Sequence, residues 1–185
     1  MRRRILIPVA ALAAVIAVAV GLYLFQPWRI FTSSTVVEDV PAVTTPAVTS
    51  PAPSAANATA TAAPTAAAVP RELATGRLIS HEHASSGTAK ILELPDGSRI
   101  LRFEGLDTSD GPDLRVWLTD APVIEGTAGW YVFDDGAYLD LGALKANKGN
   151  QNYPIPAGAV LGDYSSVSIW CARFAVSFAA AELNS

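Results

Sequence analysis

The chain is poor in the residues that most often carry chemistry: one cysteine, Cys171, one methionine, Met1, and two histidines, His81 and His83. A lone thiol cannot close a disulfide within the chain, so neither a disulfide scaffold nor a CXXC dithiol is available. No Gly-x-Ser-x-Gly elbow, phosphate-binding loop or His-Glu-x-x-His helix occurs, which removes support for the hydrolase and nucleotide-binding classes. Positive charge is also short. From residue 71 onward nine Lys/Arg face fifteen Asp/Glu, a net charge of −6, which argues against a nucleic acid or an anionic lipid surface as partner of that region.

Against these absences stands one long apolar run. Arg2, Arg3 and Arg4 precede an unbroken stretch from Ile5 to Phe25. About 21 residues at ~1.5 Å each give about 32 Å of helix, enough for a hydrocarbon core. The arginine bias predicts a cytoplasmic N-terminus and an extracytoplasmic remainder, with Trp28 in the far headgroup belt. The rival reading, a signal peptide cleaved near Ala17-Val18-Ala19, requires a shorter apolar region. Residues 1–31 are therefore expected to be a cytoplasmic N-terminus and single-pass membrane anchor. Residues 32–70 are almost entirely Ala, Thr, Pro, Ser and Val, with only Glu38 and Asp39 charged, and are expected to be a disordered stalk. Such a stalk reaches from roughly 35 Å as a coil to about 100 Å extended. Asn57-Ala58-Thr59 is a glycosylation pattern whose use depends on the host.

Residues 71–185 suffice for one small domain. Leu114, Val116 and Leu118 alternate with Arg115 and Trp117, and Trp170, Ala172, Phe174, Val176 and Phe178 alternate likewise, a period of two. Ala89–Leu94 and Arg99–Phe103 flank Pro95-Asp96-Gly97-Ser98, which suits a hairpin turn. Further strands are expected at Thr75–His81, Trp130–Phe133 and Tyr138–Leu141, and Leu141–Ala146 is the one stretch that suits a helical turn. The expected class is all-β, an antiparallel sandwich or barrel.

Cys171 is either an inert core thiol, a redox group, a partner for another molecule's thiol, or a ligand. On the strand Ser168–Arg173, Cys171 and Arg173 share a face opposite the apolar one, and the nearby guanidinium favours thiolate over thiol. His81 and His83 form a His-x-His pair whose strand spacing lets two imidazoles meet one metal, and Cys171 would complete a copper-type set with Gln151 or a carbonyl as the weak axial ligand. Exposed polar residues on a strand edge are the plainer explanation of that pair. Asp107, Asp110 and Asp113 do not follow a calcium-loop spacing and read as a structural turn. The amide-rich run from Gly149 to Pro156 either ties down its own backbone or binds a sugar.

Five ordered segments carry a resemblance: His83 to Ala89; Arg102-Phe103-Glu104; Asp110 to Leu118; Leu141 to Lys145 with Gly149 to Pro154; and Ser166 to Cys171 with Phe174 to Phe178. Together they resemble the DM13 domain, the Skeletor-type module found beside DOMON cytochrome domains, over Thr75–Leu183. Ala146 stands where that family usually has glycine. The resemblance implies a β-rich extracytoplasmic electron-transfer module in which Cys171, in its Trp-Cys motif, acts as a bare thiol or ligates a prosthetic group such as haem, with His83 as the matching histidine. No DOMON partner lies in this chain, so the redox partner would be a separate protein. Two functions follow: a membrane-anchored redox module with haem, copper or no cofactor, or a cell-surface binding module. The second would use Trp130, Tyr131, Tyr138, Tyr153 and the amide run for a wall glycan or a protein, with Cys171 merely packed. A turnover enzyme is disfavoured because no acid/base pair can be named.

Overall fold

The computed structural model describes residues 2–41 and 69–185, with side chains of the first helix described from residue 11 onward. Helix α1 spans Arg2–Phe25. It stops where Gln26, in the left-handed region at φ 43°, precedes Pro27, whose ring disfavours helical backbone on the residue before it. Among the described residues no helix is long and apolar enough to cross a membrane, so the expected span gains no support from the structure. The described part of α1 leaves Leu12, Val15, Ile16, Leu22 and Phe25 exposed.

Beyond a 3₁₀ turn at Pro27–Phe31 the chain enters a two-sheet sandwich. The first sheet has the order β1 (Thr35–Val37), β8 (Lys148–Ile155), β5 (Arg99–Asp107), β4 (Ser86–Glu93) and β2 (Arg71–Arg77). The second has β3 (Ile79–Ser80), β10 (Val176–Glu182), β9 (Ser166–Cys171), β6 (Leu114–Thr119) and β7 (Tyr138–Ala143). All pairs are antiparallel except β1 with β8. Of the antiparallel sandwich or barrel expected from period-two patterning, the described residues show two mostly antiparallel sheets, the sandwich.

Alternation explains the layers. Ile91, Leu101, Phe103, Val116, Leu118, Val167, Ile169 and Cys171 form the core between the sheets. On the outer face of the second sheet Trp117, Trp170, Ala180 and Phe133 form a separate cluster covered by the connection between β6 and β7. That face is buried as well, so β9 is buried at all six positions.

Several expectations differ from the structure. Trp170 to Phe178 is not one strand: Cys171 ends β9, the chain turns at 172–175 with Ala175 at φ 49°, and β10 returns. Arg173 therefore lies in the turn, exposed, and does not share a strand face with Cys171. Trp130–Phe133 is not a strand, because its backbone closes a loop that delivers Phe133 into the outer cluster. Leu141–Ala146 makes no helical turn; β7 runs to Ala143. The amide-rich run is strand β8, in which Pro154 is accommodated because β1 covers only Lys148 to Asn150 and leaves the later part of β8 as an edge.

The segment read as a stalk also contributes structure. Its residues Thr35–Val37 pair with β8, and Glu38 accepts from Lys145 Nζ at 2.7 Å and from the Asn152 amide at 2.7 Å. Gly149, at φ 103°, permits this approach, since a Cβ there would overlap the Val36 carbonyl oxygen. The remainder of the expected stalk, residues 42–68, lies outside the described residues.

Candidate functional site

Cys171 is the last residue of β9, and register places it between Leu114 of β6 and Val176 of β10. It is wholly buried, in the layer shared by the two sheets. Removal from water pushes its thiol pKa up; main-chain amides at Phe174, Arg173 and Asp113 oppose this only in part, and the Asp113 carboxylate adds to it. The thiol is held protonated, contrary to the thiolate that Arg173 was expected to favour.

The two histidines do not meet. His81 is buried on the outer face of the second sheet, where Nδ1 contacts Ser177 Oγ at 2.9 Å and the ring lies 5.7 Å from Phe133. Ser177 Oγ in turn contacts Ser168 Oγ at 3.0 Å. The Nε2 of His81 is buried without a hydrogen bond among the described residues; burial lowers the ring's pKa, and the main chain at Ile124 opposes this in part. His83 instead pairs through Nε2 with Glu82 and lies 4.0 Å from the Phe178 ring, whose body belongs to the inner core. Residues 81–83 form a bend rather than a strand, so the alternation that would align both rings is lost.

His83 borders a cavity of about 390 Å³ at the end of the sandwich, between Phe25 and Arg29 on one side and Trp130, Phe174, Val176 and Phe178 on the other. Phe25 and Phe174 stack with centroids 5.9 Å apart, and Arg29 reaches Asp110 at 3.2 Å. Cys171 is not in the lining, although its pairing partner Val176 is.

Haem or copper held jointly by Cys171 and the histidines does not fit this arrangement. The thiol is walled off, His81 and His83 serve different faces, and among the described residues no three His, Cys, Asp or Glu side chains group as metal ligands. Gln151, the proposed axial ligand, is also spent: its amide bonds both main-chain groups of Ala146 and accepts from Tyr153 Oη at 2.6 Å.

The other candidates divide clearly. Asp107 pairs with Lys148, Asp110 with Arg29 and Thr32, and Asp113 with Arg115, so each carboxylate has its own partner. Asn150 accepts from the Gly105 amide, and Asn152 bonds Arg102 and the Asp39 carbonyl. With Tyr153 buried too, the amide run binds the protein's own backbone, and the glycan reading loses those residues. Tyr131 and Tyr138 stay exposed.

Sequence reasoning missed an aromatic row on the second sheet. Tyr138 stacks on Trp117 at 4.0 Å and 10°, and Trp117 lies 5.2 Å from Trp170, the residue before Cys171. Register could have revealed it, since Trp117 opposes Ser168 and Trp170 opposes Arg115 on neighbouring strands.

The comparisons with known proteins agree with the sequence. One family model, described as electron transfer DM13, matches residues 77–183. No curated protein and no solved structure matches the chain.

Proposed function

Because the chain belongs to the electron transfer DM13 family, we propose that it is a membrane-anchored extracytoplasmic electron-transfer module with Cys171 as its redox group. The observation that carries the proposal is the setting of Cys171, a single protonated thiol buried directly after Trp170 and paired with Val176, which lines an aromatic cavity. Burial and the lack of a second thiol argue against thiol–disulfide exchange, which needs an accessible thiolate. One-electron oxidation of the thiol is the redox chemistry that remains for it.

Anchoring is supported by the sequence, through the apolar run Ile5–Phe25 behind three arginines. The segment after α1 then holds the sandwich close: β1 begins ten residues after Phe25, and Phe25 stacks on the β9–β10 turn. The Cys171 end of the sandwich thus faces the membrane.

The test is a redox titration of the full chain in lipid nanodiscs, using hexachloroiridate as oxidant and dithionite as reductant, with Cys171→Ser beside it. The expected result is one reversible electron equivalent that the substitution abolishes. A chain that exchanges no electrons, or does so equally well with serine, overturns the assignment and leaves a surface-binding module that retains Tyr131 and Tyr138 for a protein or wall glycan.

A further inference from the structure

We infer that Trp170, Trp117 and Tyr138 form a relay that carries single electrons along the outer face of the second sheet, from Cys171 to an outward-facing docking point at Tyr138. The inference rests on the electron-transfer reading above.

Geometry supplies the path. The rings follow one another at 5.2 and 4.0 Å, and the second pair is stacked with its planes nearly parallel, which gives direct π contact. Trp170 is covalently continuous with Cys171, which projects to the opposite face of the same strand. Register gives the direction. Cys171 opposes Leu114 at one end of β6, Trp117 opposes Ser168 in the middle, and Thr119, the pairing partner of Tyr138, opposes Ser166 at the other end. With Cys171 facing the membrane, the row ends on the side that faces away from it.

The environment suits each ring to its step. Trp117 Nε1 is buried and has no acceptor among the described residues. An oxidised indole without a base keeps its proton, so the hole on Trp117 stays a radical cation and passes on. Trp170 is wholly enclosed, protected from water and oxygen. Tyr138 is 47% exposed, so its phenol can release a proton to water when oxidised and regain it when reduced. In one passage a one-electron oxidant docked at Tyr138 is reduced. The hole moves through Trp117 and Trp170, and Cys171 gives up one electron and its proton to become a thiyl. The proton passes to water by way of Asp113, which adjoins Leu114, the pairing partner of Cys171, and whose carboxylate stays partly open to solvent beside Arg115. All three aromatic rings end as they began.

The test places a ruthenium-bipyridyl photo-oxidant on Tyr138→Cys in the full chain in nanodiscs, labelled without unfolding so that buried Cys171 stays unmodified. After flash-quench oxidation, transient absorption follows the tryptophan radical cation. Transfer into the row is expected in the parent. Trp117→Phe should slow it at least tenfold, while Trp117→Tyr, equally foreign to the packing but oxidisable, should keep it. The same label on Val160→Cys, an exposed position off the row, should be indifferent to Trp117→Phe. A rate unchanged by Trp117→Phe, or lost equally with tyrosine, overturns the relay. If Trp117 proves necessary but the titration finds no Cys171-dependent electron, the relay stands and the thiol as its terminus falls.

Discussion

Gly149→Ala measures whether the segment after helix α1 belongs to the sandwich. Gly149 sits at φ 103°, a region costly to residues with a Cβ, and the added methyl would overlap the Val36 carbonyl oxygen. Strain of this kind is worth about 1–3 kcal/mol. Relieving the overlap by releasing β1 also gives up the Glu38–Lys145 pair. Both side chains are about one-third exposed, so that pair adds only about 0.2–1 kcal/mol. The expected loss is about 1–4 kcal/mol, and at its middle, about 2 kcal/mol, with a urea slope of about 2 kcal/mol/M the midpoint should fall by roughly 1 M. The assay is urea unfolding of Gly149→Ala in the full chain and in a chain starting at residue 42, where β1 is absent. Coupling predicts a smaller penalty in the truncated chain, since the backbone strain remains but the collision does not. Equal penalties in both backgrounds would refute the reasoning that β1 is docked through Gly149.

Burial of Cys171 predicts that maleimide labelling of the folded chain at pH 8 is at least about a thousandfold slower than in urea, because reaction must await opening of the sandwich; rapid labelling would place the thiol at the surface. Tyr153, whose pKa burial pushes up to about 12 from 10, retains its proton in the folded state when the unfolded chain has lost it. Stability should therefore fall as pH rises from 10 towards 12, and Tyr153→Phe should flatten that decline while costing about 1–3 kcal/mol at neutral pH through the hydrogen bond it withdraws from buried Gln151. His81 has the opposite sign. Its folded pKa is depressed below 6.5, so the unfolded state takes up the proton first and stability should drop as pH falls below 6.5. Chemical denaturation between pH 5 and 7 should show this slope, and His81→Asn, able to keep a contact with Ser177, should reduce it.

The sandwich was legible because its strands alternate. Leu114, Val116 and Leu118 mark an inner face in the sequence and in the structure alike. The hairpin around Asp96 and Gly97 was legible for a local reason, since Ser98 donates from both its amide and its hydroxyl to the Asp96 carboxylate. Strand β8 was not, because Asn150, Gln151 and Asn152 are poor strand formers whose bonds go to Gly105, Ala146, Arg102 and Asp39, partners distant in sequence or hidden by folding. The face of Cys171 was misread for a related cause. Both faces of β9 are buried, so hydrophobicity could not say where the strand ended, and only the left-handed turn at Ala175 reverses the chain. The His81–His83 pair failed because it lies on a bend, where spacing no longer fixes direction.

The two sheets divide the work of the proposed function. The first sheet receives β1, and Arg102, Lys145 and Asn152 converge on Glu38 and Asp39 to fix the chain after helix α1. The second sheet carries Cys171 and the aromatic row, and among the described residues only the isolated bridge between Thr75 and Asn184 pairs it with the first. Orientation and electron passage are therefore separable. Releasing β1 through Gly149→Ala should free the sandwich from its fixed attitude to helix α1 while leaving the Trp117–Trp170 contact intact. Electron transfer from the Tyr138 position into the row should keep its rate in that variant. A rate that falls along with β1 release would mean that the first sheet sets the geometry of the second, and the division would fail.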